Sequence, residues 1–174
     1  MQLINANTDS GYQEIAPLFD QYLHVMSNFV SIQDYAVWRD AAFNYLSEFW
    51  REKHCQAFSM RIQDTVIGFV LISQHTKLID SGTAIAEFFV LPAYQSQGYG
   101  RQAANLVFKQ AAYPMEISVL PSNHRAVEFW CKVLNENAMR YAQMFSDRLK
   151  SIVFSIAGPE HAAFKNTVAK YQHS

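Results

Sequence analysis

Between Thr83 and Ala111 the apolar pattern switches from strand spacing to helix spacing, with a proline and two glycines at the changeover. Thr83 to Val90 reads as a strand that stops at Leu91-Pro92, because proline cannot continue a ladder inside a sheet. Gln95-Ser96-Gln97-Gly98-Tyr99-Gly100 follows. Ala103, Leu106, Val107, Phe108 and Ala111 then mark one face of a helix that begins near Gly100. Glycines let main-chain N–H groups turn toward one point, and the helix start adds N–H groups without intrahelical acceptors and a partial positive charge. Such a strand-loop-helix can hold a pyrophosphate without a dedicated lysine. The loop lacks G-x-x-x-x-G-K-[ST] and is not G-x-G-x-x-G, so it is neither a nucleoside-triphosphate loop nor a dinucleotide fingerprint. Taken alone, it fits a plain turn as well as an anion cradle.

The rest of the chain supplies the partners of this unit. Leu3 and Ile4 open an edge strand. After Thr8-Asp9-Ser10-Gly11, the spacing of Ile15, Phe19, Tyr22, Leu23 and Met26 predicts a helix, with Pro17 expected in its first turn. Ser27 to Gln33 reads as a loop. Tyr35, Trp38, Ala42, Tyr45, Leu46 and Phe49 predict a second helix capped by Ser31 or Asp34. Phe58, Met60 and Ile62 alternate with polar residues, Gln63-Asp64-Thr65 reads as a turn and Val66 to Ser73 is an apolar run, so a hairpin is expected. Asp80-Ser81-Gly82 is a further turn.

Pro114 resets the chain into a strand bearing Met115, Ile117 and Val119. Ala126, Phe129, Trp130, Val133 and Leu134 then predict a helix with Ser122 or Asn123 as its N-cap. Met139 to Phe145 and Ser151 to Ile156 read as two final strands. The predicted order is β, α, α, β, β, β, α, β, α, β, β. Residues 159–174 form a tail with weak helical spacing at Ala163, Phe164, Val168 and Tyr171, left undecided between packing and fraying.

With 174 residues, half of them apolar, the chain can bury a core without disulfides or metal, and one domain over residues 1–158 is expected. A formal net charge of -1 with no run of Lys or Arg argues against nucleic acid as a partner. No segment approaches the ~18 apolar residues of a membrane span, and no signal-like N-terminus is present, so a soluble cytoplasmic protein is expected. Cys55 and Cys131 have no ligand spacing and no His-x-x-x-His pair occurs, so no metal site is expected.

About two dozen residues beyond the glycine loop, Asn123-His124-Arg125-Ala126-Val127-Glu128-Phe129-Trp130 follows a strand and opens an amphipathic helix. Together the two stretches resemble the signatures of the GCN5-related N-acetyltransferase (GNAT) superfamily, [QR]-x-x-G-x-[GA] after the fourth strand and N-x-x-A-x-x-[FLW]-[YW]. Val66-Ile67-Gly68-Phe69-Val70 fits the same pattern. Glu87-Phe88-Phe89-Val90-Leu91 with Leu120-Pro121-Ser122-Asn123 looks like a bacterial subfamily of predicted acetyltransferases. The resemblance covers roughly residues 3–156.

The resemblance implies an α/β (α+β) GNAT fold: a mixed central sheet of six to seven strands, splayed between the fourth and fifth, with helices on both faces. It also implies acetyl-CoA as cofactor and direct acetyl transfer to a primary amine of a small molecule or peptide. On this reading Phe89, Val90 and Leu91 offer main-chain bonds to the pantetheine arm. Gln95, Ser96, Gln97, Gly98, Tyr99, Gly100 and Arg101 hold the pyrophosphate. Asn123 hydrogen-bonds the cofactor, and Phe129 and Trp130 lie near its thiol end.

Glu87, flanked by Phe88, Phe89 and Val90, is the candidate base, since desolvation would raise its pKa; a solvent-side strand position and proton escape through ordered water are the alternatives. Trp130 stands where the superfamily usually has its tyrosine acid, and an indole N–H is no practical proton source. Tyr94 and Tyr141 are the possible replacements. Phe29, Tyr35 and Trp38 are candidate acceptor contacts, in a region that family resemblance associates with acceptor choice. Two rivals remain: a non-catalytic acyl-CoA sensor, and an interaction module in which the glycine loop is only a turn. A monomer or homodimer is expected.

Overall fold

The computed structural model describes residues 1–158, so the tail expected over residues 159–174 lies outside the described residues. Within them the elements follow the predicted order. They divide into two compact units, one of Met1–Ser73 with Ala86–Val107 and one of Gln74–Ile85 with residues 108–158.

In the first unit, β1 (Gln2–Asn5) pairs antiparallel with β2 (Cys55–Ile62), which pairs antiparallel with β3 (Thr65–Ser73). The hairpin turns on Gln63, at φ 53°. The N-cap of α1 (Asp9–Met26) is Thr8, whose Oγ1 accepts from the Gly11 N–H at 3.1 Å. The helix therefore starts before Gly11. That glycine is a point of close approach, since a Cβ there would stand 2.1 Å from the Ala6 carbonyl oxygen.

Pro17 consequently falls inside α1 and not in its first turn. Its exposed position, above an exposed Gln13, leaves the carbonyl that loses a helical donor open to water. α2 (Tyr35–Arg51) is capped by Asp34, whose Oδ1 accepts from the Val37 N–H at 3.1 Å.

Both helices bury their apolar stripes on the strands. Ile15, Phe19 and Leu23 of α1 and Leu46 and Phe49 of α2 share a core with Ala57, Phe69, Leu71 and Phe89. The end of α2 is tied to the sheet through Asn7, which donates to the Phe49 carbonyl and accepts from the Ala57 N–H, both at 2.8 Å.

β4 (Thr83–Val90) contributes to both units. Its beginning pairs parallel with β5 (Met115–Val119) over three register positions, Thr83 with Met115, Ala84 with Glu116 and Ile85 with Ile117. β5 pairs antiparallel with β7 (Ser151–Ile156), and β7 with β6 (Tyr141–Ser146). The hydrogen-bonded order β1-β2-β3-β4-β5-β7-β6 makes the mixed seven-stranded sheet of a GNAT fold.

β6 begins at Tyr141 and not at Met139, because the chain first has to leave α4 (His124–Glu136). It does so through Ala138 at φ 50°, with the Met139 N–H donating to the Leu134 carbonyl at 3.0 Å. Glu116 of β5 is buried at 1% exposure and accepts main-chain N–H bonds from Lys77 (3.0 Å), Leu78 (2.8 Å) and Ile79 (3.3 Å). This satisfies a buried carboxylate and fastens the segment before β4. Among the described residues, no helix is long and apolar enough to cross a membrane.

Candidate active site

The loop after β4 is built by its own side chains. Pro92–Tyr94 forms a 3-10 turn, with the Tyr94 N–H donating to the Leu91 carbonyl at 2.8 Å. Gln95 then turns back, and its Nε2 donates to the Val90 carbonyl at 2.7 Å, while Gln97 Nε2 reaches the Ala93 carbonyl at 2.9 Å. Ser96 and Gly98 have φ of 61° and 83°, so the main chain folds into the left-handed region twice within three residues. That geometry turns neighbouring N–H groups toward a common side.

The Gly98 carbonyl accepts from the Gln102 N–H at 3.0 Å and so starts α3 (Tyr99–Gln110). A Cβ on Gly98 would meet nothing within 4 Å. Open space beside positive-φ main chain at a helix start fits the diphosphate of a coenzyme.

At the end of β4, the Leu91 N–H donates to the Ile67 carbonyl of β3 at 2.8 Å. A Cβ on Gly68 would lie 2.2 Å from the Phe89 carbonyl oxygen. Phe89 and Leu91 therefore turn main-chain groups toward β3. Because successive residues of a strand present them to opposite edges, Val90 turns its own to the other edge.

Glu87 is half-buried on β4, on the same strand face as Phe89, two residues on. It is not solvated as a surface carboxylate would be. The Tyr22 hydroxyl of α1 donates to Glu87 Oε2, and the Tyr45 phenol of α2 lies near enough to Glu87 to feel its charge. Burial pushes both phenols far above their ordinary range, and the charge of Glu87 pushes them further. Both therefore stay protonated, and Tyr22 acts as a donor. The Tyr22 ring is wedged against Phe19, Phe69 and Phe89 at centroid distances of 5.6, 5.9 and 5.7 Å.

Beside this cluster, within the same unit, lies a cavity of about 350 Å³. Asp20, Gln21, His24 and Val25 of α1, Tyr35 of α2, Phe89 and Pro92 line it. Asp20 is held by Arg39, whose Nε donates to Oδ1 at 2.5 Å, and the Arg39 guanidinium sits 4.6 Å above the Phe43 ring centre. Of the three candidate acceptor contacts, Tyr35 lines the cavity. The Trp38 ring lies tilted against that of Tyr35 at 5.7 Å, and Phe29 is half-buried in the turn after α1 without lining the cavity.

Sequence reasoning had not singled out Tyr22, Tyr45, Asp20 or His24 for the site. The two tyrosines lay on apolar stripes and read as core. Asp20 and His24 sit one turn apart on the polar side of α1, which reads as a solvated face.

In the second unit, Asn123 is the N-cap of α4, its Oδ1 accepting from the Ala126 N–H at 3.2 Å. Trp130 is buried at 4% exposure, with its ring 4.9 Å from Phe129 and 6.4 Å from Phe108. Tyr141, one possible acid, packs on Phe154 at 6.0 Å and donates to Asn135 Oδ1 at 3.2 Å. Tyr94, the other, lies 6.5 Å from Tyr99 across the glycine loop. Cys131 Sγ donates to Gln143 Oε1 at 3.3 Å.

Comparison with known proteins agrees with this reading of the fold. An acetyltransferase from Thermus thermophilus is 16% identical with a TM-score of 0.59, covering 90% of this chain and 96% of that one. The PaiA N-acetyltransferase from Thermoplasma acidophilum, solved in complex with coenzyme A, is 12% identical with a TM-score of 0.60, covering 90% and 99%. The N-acetyltransferase PseH of Campylobacter jejuni is 16% identical with a TM-score of 0.56, covering 91% and 98%. No curated protein sequence matches this one. The acetyltransferase (GNAT) family model matches residues 22–135, well over half of the chain. The chain belongs to the GNAT family of acetyltransferases, whose cofactor is acetyl-CoA.

Proposed function

We propose that residues 1–158 form one N-acetyltransferase domain that moves the acetyl group of acetyl-CoA directly to a primary amine. The observation that carries this reading is the pairing of Glu87 and Phe89 on one face of β4, with a tyrosine-held carboxylate at one and a cavity wall at the other. A compact amine seated in a cavity of about 350 Å³ would lie within a residue's reach of Glu87.

Acetyl-CoA supplies an activated thioester. The Gln95–Arg101 main chain and the first turn of α3 bind its diphosphate, and the segment Phe89 to Leu91 takes the pantetheine arm, chiefly through Val90. Contacts from Asn123, Phe129 and Trp130 are proposed on the motif alone. The Val90 N–H stabilises the charge that develops on the thioester oxygen, and Glu87 receives the proton of the amine. Holding the two reactants side by side makes the attack effectively intramolecular. With Trp130 buried in a ring cluster, no tyrosine acid is supplied from that position. A thiol of pKa ~8.5 leaves acceptably as thiolate.

Trp130 also favours a second reading, a sensor that binds acyl-CoA without transferring the group. Calorimetry with acetyl-CoA, followed by thiol release across a panel of small amines, separates the two. Binding with amine-dependent thiol release is expected; binding without release across the panel favours the sensor, and no binding at millimolar concentration rejects both. Glu87→Gln is expected to lower the rate about a hundredfold or more with little change in acetyl-CoA affinity. An unchanged rate rejects Glu87 as the base.

A further inference from the structure

We propose that Tyr22 and Tyr45 are positioning residues that together hold the Glu87 carboxylate ionised and in one orientation between α1, α2 and β4. The proposal deepens the reading of Glu87 as the base and rests on it.

Three elements converge on this one side chain. Glu87 comes from β4, Tyr22 from α1 and Tyr45 from α2; the Tyr22 hydroxyl donates to the carboxylate, and the Tyr45 phenol interacts with it from the other helix. Both rings are packed against aromatic neighbours. Tyr22 is packed edge-on against Phe69 and Phe89, and Tyr45 edge-on against Phe49 at 5.3 Å. The hydroxyls are thus aimed by the hydrophobic core itself, because the rings belong to the apolar stripes that seat the two helices on the sheet.

Hydrogen bonds to a carboxylate favour its charged form, whereas desolvation favours the neutral one. The sequence suggested that burial alone would govern Glu87; the geometry adds an opposing donor, Tyr22, and a second protonated phenol, Tyr45, beside it. Their own protons are secure, since burial and the charge of Glu87 push both phenols up. Among nearby titratable groups, Tyr22 faces Glu87 from α1 and Tyr45 from α2. β3, Thr65–Ser73, carries no titratable side chain. Around Tyr45 itself lie Cys55 of β2 and Glu48 of α2. A base held in this way is ionised at neutral pH and already oriented, so no rotamer search precedes proton transfer.

The test is a carbon-13 NMR titration of the glutamate carboxyl signals of the full chain, with the Glu87 signal identified by its loss in Glu87→Gln. Tyr22→Phe, Tyr45→Phe and the double variant keep the rings and remove only the hydroxyls. Each removal is expected to raise the Glu87 midpoint by roughly one pH unit, with acetyl-CoA affinity retained. The acid limb of the rate profile moves to higher pH by the same amount, because the base is then protonated over a wider range. Midpoints that stay in place in variants with native-like melts overturn the proposal. Midpoints that move while the rate profile does not follow leave the clamp standing and reject Glu87 as the base. Should the double variant fail to fold, the two single variants decide the question.

Discussion

Gly68 of β3 lies so close to Phe89 of β4 that a side-chain carbon on it would stand 2.2 Å from the Phe89 carbonyl oxygen and 3.1 Å from the Val90 Cα. Both obstacles are main chain and cannot rotate aside. Gly68→Ala should therefore force the strands apart at the very residues assigned to the pantetheine arm. Destabilisation of about 2 kcal/mol or more is expected in urea unfolding, together with weaker acetyl-CoA binding. A variant of native stability would show that the strands part here without cost.

Gly98 presents the opposite situation. Nothing lies within 4 Å of where its Cβ would be, yet its φ is 83°. Alanine there meets no clash but must hold a left-handed backbone, at a cost of roughly 1 kcal/mol. Gly98→Ala is expected to lose about that much stability and several-fold in acetyl-CoA affinity, with Gly98→Asn recovering part of both. Calorimetry on the two variants checks it. Unchanged affinity alongside the stability loss would separate this glycine from the cradle.

Glu116 accepts three main-chain N–H bonds in a buried position. Glu116→Gln replaces one acceptor oxygen with an NH2 group that faces donors. The expected loss is about 2 kcal/mol, with faster amide exchange at Lys77, Leu78 and Ile79 than elsewhere in the unit. Uniform exchange would place the defect in the whole unit and not in this segment.

Alkaline stability follows from Tyr22 and Tyr45. Both phenols are raised in the folded protein by burial, then by Glu87. The folded state thus keeps protons that the unfolded chain releases above about pH 10, and stability falls as pH rises through that point. Each phenol contributes a slope of about 1.4 kcal/mol per pH unit above it. Unfolding free energies measured on either side of pH 10 should show the decline, and Tyr22→Phe should make it shallower. An identical slope in that variant would mean that the Tyr22 phenol titrates normally.

Periodicity gave the order of every element, because each stripe buries against a neighbour whose own stripe is equally plain. It failed where a residue type has two uses. Pro17 looked like a helix start and sits in the interior, since the solvent-side carbonyl it leaves without a helical donor is open to water. The positive-φ loop that starts α3 was legible because its geometry is main-chain and local. The surroundings of Glu87 were not, because Tyr22 and Tyr45 are distant in sequence and each already had a sufficient reason to be aromatic in its helix stripe. Only the closure of three elements on one carboxylate separates those uses.

Gln95 is at once the first residue of the glycine motif and the donor that fastens the loop to the Val90 carbonyl. On the proposed binding mode that one side chain would join the two ends of the coenzyme's path and act as a ruler. A thioester of the right length would then reach Val90 when its diphosphate is seated. A truncated thioester without the nucleotide half would engage one end only, so carrier length as well as acyl identity would be something this chain measures.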